Sequence, residues 1–319
     1  MKREQGYFNL DSLESKLKII DYVVKRTGVL YHVEIDGIRY FFKECGYRDA
    51  ITELLISEIL SKIGVSNVKY DLTKFRYKKG VISKSFKREG FKYTSGKGII
   101  DEYLDALEVE CEKEKGTPHG EVLFEEYQMY RNRSDGNFSV NNLELIMHAI
   151  EYHVRNRKNP QIDFNNIMNG IVKYYLTDIL ILNQDRNRNN WWIEENDESI
   201  GLCPAFDHEE SIRENNWKSI RVVPYDESKQ KATAYTELES FISKSDNFYF
   251  EEFIRLRNEL SLETLDECFG IVEAKIKLEI KPNIKEKIRE IYKSHIQKID
   301  KIIESRKKKL NDYSDHEDR

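Results

Sequence analysis

The stretch from Asp178 to Glu210 constrains this chain more than any other, because it joins an apolar run to a polar loop and a hairpin with almost no flexible spacer. From Thr177 it reads TDILILNQDRNRNNWWIEENDESIGLCPAFDHEE. The helix-like run ends at Asp185, a polar loop reaches Asn190, the aromatic strand Trp191-Trp192-Ile193 follows, and a second short strand ends on Asp207. That order delivers a carboxylate, a carboxamide and a second carboxylate to one edge of a hairpin. Phosphoryl transfer from a nucleotide needs those groups: an acidic residue orients the attacking hydroxyl and takes its proton, while an amide oxygen and another carboxylate hold magnesium, a hard cation that prefers oxygen ligands. Asp185 suits the first role, and Asn190 and Asp207 suit the metal. The bland alternative is an Asn-rich surface turn between a buried helix and a hairpin.

The segment Asn183-Gln184-Asp185-Arg186-Asn187-Arg188-Asn189-Asn190-Trp191-Trp192-Ile193, with Ala205-Phe206-Asp207 downstream, resembles the catalytic loop and metal-binding Asp of the HipA-like kinases and their shorter CtkA-type relatives. It is also similar to the loop of type II phosphatidylinositol 4-kinases, which share an Asp-Arg start and an Asn-Trp finish. The resemblance implies an α+β, two-lobed protein-kinase-like fold: an N-terminal lobe of antiparallel sheet with one helix over 1–88, a mostly helical C-terminal lobe over 89–312, and a tail over 313–319. It further implies ATP and Mg2+ as cofactors, Ser or Thr of a protein as acceptor, and room for a regulatory or antitoxin-like partner.

The residues upstream suit such a reading. Strands are expected over 17–24, 29–35 and 38–43, with Asp36-Gly37 as a strong hairpin signal. Between the first two lies Lys25-Arg26-Thr27-Gly28, where a kinase covers the phosphates; with a single glycine it reads equally as a plain turn. Lys43 ends the third strand, and the resemblance places the family's nucleotide lysine there. A helix over 49–63 is apolar on more than one side and stops at Gly64, which predicts packing between the sheet and a second layer. Glu53 on that helix is the candidate partner of Lys43, with Glu58 the fallback. Strands at 68–72 and 80–86 lead into Ser83-Lys84-Ser85-Phe86, which looks like the family's hinge, so that main-chain groups near Ser85 and Phe86 would hold adenine.

Gly90 to Gly98 reads as loop, and Ser134-Asp135-Gly136-Asn137 as a turn. Helical spacing marks 141–155 and 164–182, separated by Pro160, and further helices at 249–259, 262–269 and 283–308. His148 and His153 do not share a helix face and read as packing or surface residues. Arg186 reads either as a phosphate contact or as a structural charge. The segment from Ser211 to Thr236, with Arg213, Trp217, Lys218 and Arg221, is where a substrate loop would lie. His208 stands where protein kinases usually carry Gly.

Composition narrows the alternatives. A net charge of −5 gives no overall basic signal for nucleic acid, and 39% hydrophobic residues supply a core. Cys45, Cys111, Cys203 and Cys268 have no metal-ligand spacing and read as reduced thiols. The N-terminal residues show no apolar signal region and no run reaches membrane-spanning length, so the expectation is a cytoplasmic protein.

Overall fold

The computed structural model describes residues 3–4, 6–13, 16–25, 28–133, 140–183, 185–212 and 247–317. Two compact units form. The first takes Met1–Glu89, Pro204–Arg213 and Arg255–Ile296; the second takes Gly90–Cys203, Glu214–Ile254 and Gln297–Arg319.

The first unit is built on β1 (Arg3–Glu4), β2 (Tyr7–Asn9), β3 (Leu17–Lys25), β4 (Gly28–Ile35), β5 (Ile38–Glu44), β6 (Tyr70–Phe75) and β7 (Lys78–Lys84). They form one sheet in the order β1-β2-β6-β7-β5-β4-β3. Asp36 and Gly37, at φ 50° and 79°, close the β4–β5 hairpin with Ile35 opposite Ile38. The sheet is mixed rather than antiparallel throughout: β2 runs parallel to β6, because the N-terminal residues add two short strands that the sequence pattern does not announce. Leu10, Val33, Ile35, Phe42, Phe75 and Ile82 form a buried cluster on one face, with Leu17, Ile19, Tyr31 and Tyr40 packed against it.

Helix α1 (Tyr47–Lys62) carries Asp49 in its first turn and Lys62 in its last, each matched to the helix dipole. Ala50, Ile51, Leu54, Leu55, Ile56, Ile59 and Leu60 are all buried. Such two-sided burial requires two apolar neighbours, which are the sheet at β6 and β7 and, on the other side, α7 (Leu262–Ile276).

The second unit holds the antiparallel sheet β10-β9-β8, made of β8 (Lys92–Ser95), β9 (Trp192–Glu195) and β10 (Ile200–Leu202), with α2 (Gly96–Lys113), α3 (Pro118–Arg133), α4 (Val140–Val154) and α5 (Pro160–Leu180). The expected loop at 90–98 is therefore a strand followed by a helix start. β8 is too short to show alternation and is completed only by pairing with β9, far along the chain. Ser95 caps α2 by accepting the Gly98 N–H at 3.2 Å. Pro160 sits in the first turn of α5, where its missing N–H costs nothing. The remaining helices are α6 (Asn247–Glu259) and α8 (Pro282–Glu317), both longer than their apolar spacing suggests, as is α7. Among the described residues no helix is long and apolar enough to cross a membrane. The four cysteines are free thiols.

Candidate active site

Lys43 leaves the end of β5 opposite Val81, beside a point where two strands approach closely: a Cβ on Gly80 would lie 1.9 Å from the Lys43 carbonyl oxygen. Its Nζ donates to Glu53 Oε1 at 3.0 Å, pairs with Glu209 Oε2 at 3.2 Å, and bonds Asp207 Oδ1. Glu53 is fully buried on α1, and its second oxygen accepts the His208 N–H at 2.9 Å. Asp207 reaches the cluster from a left-handed backbone, φ 63°, and its N–H donates to the Tyr70 hydroxyl at 3.2 Å. The chain is brought there by a bridge between Asn67 and Ala205, in which Val68 N–H donates to Ala205 O at 2.9 Å and Ala205 N–H to Ser66 O at 2.9 Å.

One ammonium thus faces three carboxylates. Burial alone lowers the Lys43 pKa, but Glu53, Asp207 and Glu209 outweigh it and hold the ammonium well above its ordinary value. Burial pushes Glu53 up to about 6 despite Lys43, with Asp207 adding to the rise. Burial, with Glu53 beside it, keeps the Tyr70 phenol protonated as a neutral partner for Asp207. Burial also raises the Cys45 thiol to about 12, against the pull of Lys43. One ligand atom from each of Glu53, Asp207 and Glu209 lies within 4.8 Å of the others. This is a set of hard oxygen donors with negative charge in excess of the lysine, which suits a magnesium ion.

In the second unit, Asp185 sits in the loop after α5. Its Oδ1 accepts Asn187 Nδ2 at 3.0 Å, its Oδ2 accepts Asn190 Nδ2 at 3.1 Å, and its N–H donates to Asn183 Oδ1 at 3.2 Å. Asn190 is buried, and an amide whose nitrogen is committed to Asp185 keeps its oxygen for another partner, as a metal ligand would require. The loop is pinned from beneath by Arg186, which is 2% exposed. Arg186 donates through Nε to Asp178 Oδ2 at 2.8 Å, through a terminal nitrogen to Asp178 Oδ1 at 3.1 Å, and through the other to Asn190 O at 2.8 Å. Asn183 Nδ2 completes the Asp178 shell at 2.9 Å. Of the two readings of Arg186, the structure selects the structural one. A Cβ on Gly96 would overlap the Trp191 indole at 2.0 Å, so the start of α2 is fitted to the strand that leaves the loop.

Among the other expected residues, Lys25 and Gly28 end the β3–β4 ladder as partners, and a Cβ on Gly28, at φ 152°, would lie 2.6 Å from Glu44 O. Thr27 and Arg26 lie outside the described residues, as do the turn at 134–137 and Arg213, Trp217, Lys218 and Arg221. The Ser85 N–H is taken by Arg39 O at 2.9 Å, and the Phe86 ring stacks on Phe206, centroids 5.7 Å apart. Glu58 pairs with Lys69 and Lys275 rather than Lys43. His153 bonds Glu102 at 3.0 Å and the His148 ring lies against Tyr103, both packing roles.

Sequence reasoning missed Glu209, Tyr70, Asp178 and Asn183. Asp178 had a signal: a carboxylate inside the apolar run Leu176 to Leu182 must find a buried partner. Tyr70 had none, since its role depends on the bridge between Asn67 and Ala205.

No family model matches the chain, and no curated protein matches it in sequence. Among solved structures, the proinflammatory kinase CtkA of Helicobacter pylori aligns over 95% of this chain and 98% of its own, with TM-score 0.62 and 13% identity. A structure of the Shewanella oneidensis MR-1 toxin–antitoxin system, HipA and HipB with operator DNA, aligns over 90% of this chain and 66% of that one, with TM-score 0.51 and 8% identity. The chain therefore has the α+β, two-lobed, kinase-like fold of CtkA and HipA.

Proposed function

We propose that the chain is an ATP- and Mg2+-dependent kinase of the HipA-like, CtkA-type class, transferring the γ-phosphoryl group to Ser or Thr of a protein. The observation that carries this reading is the buried Lys43–Glu53 pair joined to Asp207 within a kinase-like fold. Lys43, held by Glu53, takes the nucleotide phosphates; Asp207 and Asn190 hold magnesium, whose charge neutralises the transferring group. Asp185, steadied by Asn183, Asn187 and Asn190, orients the acceptor hydroxyl and accepts its proton. The turn at Lys25, Thr27 and Gly28 covers the phosphates, and main-chain groups around Ser85 and Phe86 receive adenine. Most of the acceleration comes from positioning and charge neutralisation. The same reading makes the protein cytoplasmic and leaves room for a regulatory protein partner, as HipB accompanies HipA in the Shewanella complex.

The rival is a silent nucleotide-binding module, favoured by the single glycine, Gly28, in the phosphate turn. Incubation with γ-labelled ATP and magnesium, with mass spectrometry of the modified sites, separates the two. The kinase reading expects labelled Ser or Thr with wild type and none with Asp207→Ala. ATP binding without label in either sample would leave the silent module. Label on phosphoinositide vesicles instead of protein would make it a lipid kinase.

A further inference from the structure

An ammonium has three N–H donors, and around Lys43 Nζ stand three carboxylate oxygens: Glu53 Oε1 at 3.0 Å, Glu209 Oε2 at 3.2 Å, and Asp207 Oδ1. All four residues lie in the first unit. The Lys43 side chain is only 11% exposed, so a phosphate oxygen reaches the ammonium by taking the place of one of the three.

The three are not equally replaceable. Glu53 is fully buried and its second oxygen accepts the His208 N–H at 2.9 Å, so withdrawing it from Lys43 would leave a buried charge without its countercharge. Glu53 therefore stays. Asp207 is set in place by the Tyr70 hydroxyl, which accepts its main-chain N–H at 3.2 Å, and its carboxylate is the one assigned to magnesium. Glu209 makes the longest of the three contacts, and neither the anchoring of Lys43 nor the assigned metal requires it. Its oxygen meets the lysine as an anionic phosphate oxygen would, with the same charge sign and the same acceptor chemistry.

We propose, on the kinase reading, that Glu209 is a specificity-determining residue: it acts as a phosphate surrogate on Lys43 and makes the site take the magnesium complex of a nucleotide in preference to the bare nucleotide. Charge decides the preference. One positive charge faces three negative ones, and one ligand atom from each of the three carboxylates lies within 4.8 Å of the others. A bare nucleotide brings further negative charge to that place and must displace the Glu209 oxygen, which stays close enough to repel it. The magnesium complex carries its own positive charge, which offsets the same repulsion. Glu209 supplies the selectivity because it is the one carboxylate of the three with no other assigned task.

Calorimetric titration of the full chain with ADP, once in EDTA and once in excess magnesium, tests this at about pH 8, above the value of about 6 to which Glu53 is raised. Glu209→Gln should bind bare ADP about tenfold more tightly than wild type and the magnesium complex within about threefold of it. Glu209→Asp, which returns the charge, should recover most of the wild-type preference. Glu58→Gln, which removes a carboxylate paired with Lys69 and Lys275 instead, should move neither affinity by more than about twofold. Damage to the fold would weaken both affinities, so a gain on one side alone separates the assigned role from a structural one. Bare ADP bound no more tightly by Glu209→Gln, with the magnesium complex weakened, would make Glu209 a metal ligand and overturn the proposal. Uptake of ADP by wild type in neither medium would overturn the nucleotide reading itself.

Discussion

The Lys43 cluster and the Asp185 loop hold their carboxylates by different means. Around Lys43, residues from β5, α1 and the segment after β10 are gathered by opposite charge, with a lysine and an aspartate 164 residues apart in the chain meeting in one ion pair. Around Asp185, the aspartate is held by the neutral amides of Asn183, Asn187 and Asn190, close by in the chain, with the buried Arg186–Asp178 pair beneath. The first arrangement exists only once the sheet is complete. The second is a local device, stiffened by hydrogen bonds that orient the Asp185 carboxylate.

The contrast can be broken first at activity. Asp207→Ala removes the proposed metal ligand and a partner of Lys43 together, and on the kinase reading phosphoryl transfer should fall by about a thousandfold or more in a labelled-ATP assay, since the charge on the transferring group would no longer be neutralised. Next in size is stability. Asp178→Ala leaves Arg186 buried without its countercharge, which should cost about 3–5 kcal/mol in a urea melt. Asp178→Asn, which keeps the shape and one acceptor, should cost visibly less. If the loop were held mainly by its amides, the two variants would melt alike.

A smaller effect separates the clusters by pH. Glu53 is raised from 4.5 to about 6 in the folded chain, so between those values the folded protein keeps a proton that the unfolded chain has lost. Its contribution to stability is complete below 4.5 and disappears as pH rises through 6. Glu53→Gln cannot titrate, and its melting temperature should therefore gain on wild type by a few degrees across that window. The same variant should bind ATP several-fold more weakly at neutral pH, where wild type anchors Lys43 through the Glu53 carboxylate and the variant offers only a neutral amide at that position. The smallest expected effect is chemical: with its thiol raised to about 12, Cys45 should alkylate at pH 8 far more slowly than a solvent-exposed cysteine, as measured by mass spectrometry.

Legibility in the sequence follows the same divide. Local signals were strong: the Asp36-Gly37 turn, the two-sided apolar pattern of α1, and the Asp185–Asn190 loop are all written within a few residues. Lys43 could be set against Glu53 because strand end and helix follow one another directly, and the structure pairs them at 3.0 Å. What stayed hidden depends on distant segments meeting. Glu209 and Tyr70 enter the Lys43 cluster only because Ala205 docks beside Asn67, and β8 becomes a strand only against β9. Arg186 illustrates a different limit: an arginine beside a catalytic-type aspartate looks like a phosphate ligand until its burial against Asp178 is seen.

The most direct test is to measure ATP binding and phosphoryl transfer side by side for Asp185→Ala. Because Asp185 is assigned to the acceptor hydroxyl and Lys43 to the nucleotide, the variant should bind ATP within about threefold of wild type and transfer no phosphate. Transfer at the wild-type rate would contradict the account.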